Sequence, residues 1–195
     1  MDAKFSTYVE LLLKWQKSVN LISSKTTDEI WERHIKDSLQ LAKLLPEACN
    51  SIIDLGSGAG LPGIVLAIET RLPVYLIESD RKKCLFLEEV ARRMKLSNVT
   101  VLNKRIEEAQ IAKTDLTPLV TARAVAELKK LLELINSFLE KNNFQGYKLL
   151  LPKGREVEAE ITEAKKFWDF NYKLHSSETS PEAKIIIIDE FKKIN

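Results

Sequence analysis

The sequence has few cysteines and no long apolar run. Its 195 residues include only Cys49 and Cys84, and neither belongs to a Cys-x-x-Cys pair or stands near a histidine at metal-ligand spacing. We therefore expect neither a disulfide scaffold nor a metal site. No stretch approaches the roughly 18 apolar residues of a membrane span, and the first residues contain no signal-peptide core. These absences predict a cytoplasmic protein without membrane association.

Charge is also nearly balanced. Thirty Lys and Arg residues against 28 Asp and Glu residues give a formal net charge of +2, which is too small to indicate a polyanionic partner by itself. Hydrophobic residues make up 45% of the chain, enough for one principal core. Any nucleic-acid site must therefore come from local clustering of basic residues.

Apolar spacing predicts an N-terminal helical extension over residues 1–50. Residues 3–19 follow helical spacing, and Thr26 and Glu29 form a capping box for a second helix. We expect that helix to run to about Leu45, because Pro46 follows. The extension shows no strand pattern, so we divide the chain into residues 1–50 and a domain over residues 51–195.

From residue 51 onwards, short apolar strands alternate with helices. We predict strands at 51–55, 73–77, 98–102, 118–122 and 147–151, and helices at about 61–71, 80–95, 128–139 and 155–168. This alternation implies a parallel sheet covered on both faces. Two further strands, 171–175 and 184–189, leave no room for a helix between them. The prediction is therefore an α/β, Rossmann-like fold with a mainly parallel seven-stranded sheet and a terminal antiparallel hairpin.

A glycine-rich turn follows the first predicted strand. Gly56, Gly58 and Gly60, with Asp54 ahead of them, match the pattern of S-adenosylmethionine-dependent methyltransferases. The same turn also satisfies the Gly-x-Gly-x-x-Gly fingerprint of dinucleotide-binding proteins. Because glycine tolerates positive φ and lacks a side chain, backbone N–H groups of such a turn can approach a ligand closely.

Glu78 ends the second predicted strand, 22 residues after Gly56, at the distance expected for an acid that binds a ribose. A carboxylate accepts two hydrogen bonds, which suits the diol of S-adenosylmethionine and of NAD equally well. Dinucleotide binding needs a second mononucleotide half, whereas this sequence offers no second glycine turn. We therefore expect S-adenosylmethionine and a class I methyltransferase fold.

Arg123 follows the fourth predicted strand, at the edge where the acceptor is expected. The segment contains no Asn-Pro-Pro-Tyr or Asp-Pro-Pro-Tyr motif for an exocyclic amine, and no cysteine for attack on a pyrimidine. Guanine N7 has an exposed lone pair and needs no general base, so its methylation relies on alignment alone. Arg123 is a candidate for positioning a carboxylate, a phosphate or a base edge, or for an ion pair that closes the sheet end.

Basic residues cluster on the second predicted helix and beyond the predicted strand ends. Arg33 and Asp37 are four residues apart, as are His34 and Ser38, so each pair shares one helix face. A surface ion pair or a packed histidine explains each residue taken alone. Together with the segment around Lys153, the helix forms a candidate path for RNA phosphates.

Five segments resemble, in this order, the RsmG family, also called the glucose-inhibited division protein B or small-subunit rRNA methyltransferase G family. They are WQKSVNLIS at 15–23, RHIKDSL at 33–39, DLGSGAGLPG at 54–63, RAVA at 123–126 and LPKG at 151–154. The resemblance implies a bacterial enzyme that transfers methyl from S-adenosylmethionine to guanine N7 in the 530 loop of 16S rRNA. It also implies cofactor contacts from Gly56, Leu61, Ile106, Glu107 and Arg123, with Glu78 in the ribose position.

Many members of that family carry a basic tail after the last strand that this sequence does not show. We therefore expect the RNA contacts at Lys25, Arg33, His34 and Lys153.

We expect the protein to be a monomer whose partner is 16S rRNA, a 30S subunit or an assembly intermediate. Two alternatives remain: a methyltransferase of a small molecule or protein, and a non-catalytic module that binds cofactor or RNA. Salt dependence of binding separates RNA from a neutral acceptor.

Overall fold

The sheet of this protein has seven strands. The computed structural model describes residues 3–112 and 115–194. The strands are β1 (Ser51–Leu55), β2 (Val74–Glu78), β3 (Val99–Asn103), β4 (Pro118–Thr121), β5 (Lys148–Lys153), β6 (Trp168–Ser176) and β7 (Lys184–Lys193). Their order is β3-β2-β1-β4-β5-β7-β6. The first five strands are parallel, and β7 is antiparallel to both β5 and β6. This confirms the predicted sheet and its terminal hairpin.

The α-helices are α1 (Ser6–Gln16), α2 (Asp37–Leu39), α3 (Gly63–Thr70), α4 (Arg81–Arg93), α5 (Leu128–Lys141) and α6 (Val157–Ala164). Helices α3 to α6 follow parallel strands, as predicted. The predicted cap of α4 is present, because Asp80 Oδ1 accepts hydrogen bonds from the backbone N–H groups of Lys82 at 2.8 Å and Lys83 at 3.3 Å.

The second predicted helix is wrong in detail. A π-helix (Trp31–Lys36), the short α2 and a 3₁₀-helix (Gln40–Leu44) take the place of one continuous α-helix. The predicted capping box does not form, because the Thr26 hydroxyl donates to the Ser23 carbonyl and contacts His34 Nε2 at 2.8 Å. A tertiary contact thus occupies the oxygen that would have capped the helix.

Both faces of the sheet are buried, and β1 shows how. Ile52 faces a core formed with α1, α3 and α4, whereas Ile53 and Leu55 face a second core formed with α5, α6 and the terminal hairpin. Successive strand residues point to opposite faces. A strand with apolar residues on both sides therefore requires a cover on each face, and the helices provide it.

The N-terminal extension shares the first core with the sheet. Phe5, Tyr8 and Leu12 of its first helical segment are fully buried there. Tyr8 and Trp15 pack against Phe86 of α4, with ring centroids 6.4 and 5.8 Å apart. The extension thus shares one continuous core with the helices on this face of the sheet.

We predict that Gly60→Ala lowers the free energy of unfolding by about 1–2 kcal/mol, which urea unfolding would measure. Gly60 has φ +82°, and a Cβ atom there would lie 2.9 Å from Leu87 Cδ2. Gly146→Ala is the matched control, because a Cβ atom there meets nothing within 4 Å. Equal stability of the two variants would contradict this assignment.

Candidate active site

The glycine-rich turn lies between β1 and α3, at the carboxyl edge of the sheet. Gly56, Gly58 and Gly60 have φ of +66°, +54° and +82°, a region that side-chain-bearing residues rarely adopt. The backbone N–H groups of Gly56 and Ser57 donate to the Ile77 carbonyl at 2.8 and 3.0 Å. These bonds attach the turn to the end of β2, where Glu78 follows.

Glu78 is buried, and the backbone fixes the orientation of its carboxylate. Oε2 accepts from the N–H group of Gly58 at 2.8 Å, and Oε1 accepts from the N–H group of Asp80 at 2.8 Å. A carboxylate has about four acceptor positions, so each oxygen retains a free lone pair. The side-chain-free turn and this preoriented acceptor fit a ligand that carries a ribose diol.

Asp54 is the last residue but one of β1, and it holds the start of α3. Its Oδ2 accepts from the backbone N–H group of Gly63 at 3.0 Å, and a Cβ atom on Gly63 would lie 2.6 Å from that oxygen. Burial raises the pKa of Asp54 to about 7, against the opposing effects of the Gly63 hydrogen bond and the Arg123 charge. Within residues 3–112 and 115–194, Oδ1 of this buried carboxyl has no hydrogen-bond partner. Asp54 therefore orders the turn from the side of the core.

Tyr8 brings the N-terminal extension to the same turn. Its hydroxyl donates to the Ala59 carbonyl at 2.7 Å, and burial raises the pKa of the phenol far above its usual value. No sequence pattern predicts this contact. Tyr8 falls on the apolar stripe between Phe5 and Leu12, which indicates burial, but no local pattern reveals a partner 51 residues away.

Arg123, His34 and Asp37 meet beyond the end of β4. Arg123 Nη1 lies 3.2 Å from Asp37 Oδ2, and Arg123 Nη2 lies 3.2 Å from His34 Nδ1. The Thr26 hydroxyl donates to a carbonyl and therefore accepts from His34 Nε2, which assigns the acceptor role to Nδ1. Burial and the Arg123 charge lower the pKa of His34 to about 4. A neutral histidine and a carboxylate thus hold the guanidinium from two sides.

The segment after β4 also contacts the glycine turn. A Cβ atom on Gly56 would lie 2.7 Å from Val125 Cγ2, so the Val125 side chain packs against the turn in space that a side chain at residue 56 would fill. Ala124, which lies between Arg123 and Val125, has φ +55°. Arg123 is therefore presented from a tightly packed bend next to the glycine turn.

A pocket of about 480 Å³ opens beside Arg123. Its walls come from the N-terminal extension, the bend after β4, the end of β5 and the loop between β6 and β7. Polar residues from each wall line it: His34, Asp37, Arg123, Lys153, Arg155, Thr179 and Lys184. The pocket has the size and the position expected for the acceptor.

Three of the four predicted RNA-binding residues, Arg33, His34 and Lys153, line this pocket, but the four differ in exposure and in partners. Lys25 and Arg33 are exposed, and Arg33 is only 3.7 Å from Glu29 in a surface ion pair. Lys153 is 8% exposed and held inside, where its Nζ donates to the Ala126 carbonyl at 2.8 Å and to Glu160 at 2.6 Å. His34 is half-buried, and its two ring nitrogens contact Arg123 and Thr26, as described above.

The remaining predicted cofactor residues lie around the turn. Ile106 and Glu107 form a 3₁₀ turn after β3, in which Ile106 packs against the second core and Glu107 is exposed. The Leu61 side chain is buried in the first core, which leaves its backbone for any ligand contact. Their cofactor contacts, and the cofactor contact expected from Arg123, stay predictions.

Over the part of the chain that the structure describes, three or more His, Cys, Asp or Glu side chains nowhere gather in an arrangement suited to a metal ion. Within the same residues, no helix has the length and apolar character needed to cross a bilayer.

The family model described as "rRNA small subunit methyltransferase G", or GidB, matches residues 1–186. A curated protein of that name from Gluconobacter oxydans is 43% identical over 98% of this chain and 94% of its own length. One from Rickettsia bellii is 38% identical, with the same coverage of both chains. The chain belongs to this family. The resemblance found in the sequence is thereby confirmed.

Solved structures share the fold of this family member. A putative methyltransferase from Escherichia coli aligns with a TM-score of 0.56 at 20% identity, covering 80% of this chain and 86% of the other. TYW2 from M. jannaschii in complex with AdoMet gives a TM-score of 0.55 at 17% identity, covering 83% and 76%. Fold and family together confirm the prediction of an S-adenosylmethionine-dependent methyltransferase.

We predict that Glu78→Ala weakens S-adenosylmethionine binding by about 1.5–3 kcal/mol, because a charge-assisted acceptor is lost. Titration calorimetry measures the change. Glu88→Ala is the control, since Glu88 is an exposed acid of α4 that pairs with Arg81. Wild-type affinity in the Glu78 variant would remove this residue from the cofactor site.

Proposed function

We propose that this protein transfers a methyl group from S-adenosylmethionine to N7 of a guanine in the 530 loop of 16S rRNA, acting as a monomer in the cytoplasm. The observation that carries the proposal is the match to the rRNA small subunit methyltransferase G family over residues 1–186. The polar pocket at the carboxyl edge supports it, because the bend that contributes Arg123 and Ala124 to the pocket also packs against the glycine turn through Val125.

The glycine turn and Glu78 would hold the cofactor. Gly56, Gly58 and Gly60 offer a backbone without side chains, and Glu78 offers oriented acceptors for the ribose. The backbone of Leu61 and the turn at Ile106 and Glu107 would complete the contacts. When bound, S-adenosylmethionine supplies an electrophilic methyl group on a sulfonium centre.

On the acceptor side, His34, Asp37 and Glu160 are each held by a partner, so none of these three side chains is free to act as a general base. Both ring nitrogens of His34 are engaged, one with Arg123 and one with Thr26. Asp37 is paired with Arg123, and Glu160 is paired with Lys153. Because guanine N7 attacks through a lone pair that needs no deprotonation, such a site suits N7 better than an exocyclic amine. Arg123 is positioned to orient the incoming nucleotide.

Exposed basic residues around the pocket would bind the RNA backbone. Lys25 and Arg33 extend from the N-terminal extension, and Arg155 extends from the segment after β5. Lys153 would contact RNA only after its contact with Glu160 opens, so we assign it first to the framework. Each phosphate contact adds affinity that falls as salt concentration rises.

The proposal predicts that the purified protein transfers labelled methyl from S-adenosylmethionine to 16S rRNA or to 30S particles, with label recovered as 7-methylguanosine. Mapping the modified nucleotide in rRNA from cells with and without the gene locates the target. If the protein binds the cofactor and methylates neither RNA substrate, the function is that of a small-molecule or protein methyltransferase, or of a binding module.

We predict that Arg33→Ala lowers RNA affinity and reduces its salt dependence, while S-adenosylmethionine affinity stays at the wild-type value. The control is Arg92→Ala, which removes an arginine paired with Glu89 at the far end of α4. Filter binding at several salt concentrations measures both variants. Equal loss of RNA and cofactor binding in the Arg33 variant would indicate a folding role instead.

A further inference from the structure

Asp37 connects three parts of the chain through one carboxylate. Oδ2 pairs with Arg123 Nη1 at 3.2 Å. Oδ1 accepts from Gln40 Nε2 at 2.9 Å, within the N-terminal extension, and from the hydroxyl of Thr179 at 2.8 Å, in the loop between β6 and β7. Both members of the Asp37–Arg123 pair are 19% exposed. A pair this sheltered from water is little screened, so its geometry matters.

Gln40 attaches the same loop a second time. This residue is buried, and its Oε1 accepts from the backbone N–H group of Glu178 at 2.9 Å. Its Nε2 also lies 3.3 Å from the hydroxyl of Ser177. A buried amide whose donor and acceptor are both used fixes its neighbours, since losing either bond leaves a polar group unpaired. Residues 177–179 are thus held against the N-terminal extension.

We propose that Asp37 is a positioning residue for methyl transfer, which sets the orientation of Arg123 and seats the hairpin loop as a wall of the acceptor pocket. The inference rests on the proposed function, and it assigns to the terminal hairpin a part in shaping the substrate site. Arg123, Thr179 and Asp37 all line that pocket. The loop therefore contributes to the site without belonging to the parallel part of the sheet.

The physical reason is that Arg123 has freedom that the bend alone cannot remove. An arginine side chain is long and rotamer-rich, and its fork becomes directional only when fixed partners occupy some of its donors. Asp37 and His34 occupy one nitrogen each, which leaves the other donors of the guanidinium directed by that pairing. Loss of Asp37 leaves Arg123 with a neutral partner only.

A double-mutant cycle in the full-length protein tests the Arg123 part. We expect Asp37→Asn to lower kcat for 16S rRNA or 30S methylation by about tenfold or more, because small misplacements near reacting groups are costly. In an Arg123→Gln background, Asp37→Asn should change kcat little, since the residue through which it acts is gone. Additive effects, or an Asp37→Asn variant unfolded at the assay temperature, would overturn the proposal in favour of a structural role.

Thr179→Val tests the hairpin part while keeping the carboxylate and the side-chain shape. We expect a raised KM for RNA, with kcat lowered less than in Asp37→Asn, and a wild-type melting temperature. An unchanged KM for RNA would overturn the role of the loop.

Glu32→Gln is the matched control for Asp37→Asn, because it removes an exposed carboxylate of the same segment that pairs with Lys36. If the wild-type protein methylates neither RNA, the proposed function fails, whereas normal wild-type activity with unaffected variants refutes this inference alone.

Discussion

A parallel sheet that is buried on both faces confines the polar chemistry of this protein to the ends of its strands. Ile52 faces one core, and Ile53 and Leu55 face the other, so β1 offers no polar surface along its length. Asp54 lies one residue before the end of this strand, and Glu78 is the last residue of the neighbouring strand β2. The backbone N–H group of Gly58 donates to the Glu78 carboxylate, and that of Gly63 donates to the Asp54 carboxyl group. The glycine turn thus obtains its shape from the strand ends that flank it.

The same constraint explains which features were predictable. The strands follow from local apolar runs, the Asp80 cap follows from its place before a helix, and the position of Glu78 follows from its distance to Gly56. Each of these depends on residues that are close in sequence or set by the regular spacing of the fold. The seven-stranded sheet and the cofactor side of the site were therefore within reach of the sequence.

The acceptor side of the site could not be predicted from the sequence, because it is assembled from distant segments. Arg123 is 86 residues from Asp37 and 89 from His34, and no periodicity connects them. The sequence alone made His34 a candidate for RNA contact, whereas the structure shows both of its nitrogens in use. Similarly, Lys153 lies beyond a predicted strand end, where the sequence suggests a solvent-exposed base. In the structure its side chain is buried in an ion pair with Glu160. Tertiary partners decide whether a basic residue faces solvent, and a helix face cannot reveal them.

The packing of α1 has a consequence for the order in which the molecule assembles. Tyr8 and Trp15 rest on Phe86, and the Tyr8 hydroxyl reaches Ala59. Helix α1 leaves the ribosome before any of these partners exists, and its apolar stripe has nothing to cover it until α4 has followed. An isolated helix of 11 residues is marginal in water. In the growing chain, α1 can therefore pack only after α4 has been synthesised. The glycine turn gains its hydrogen bond from Tyr8 only once α1 has packed.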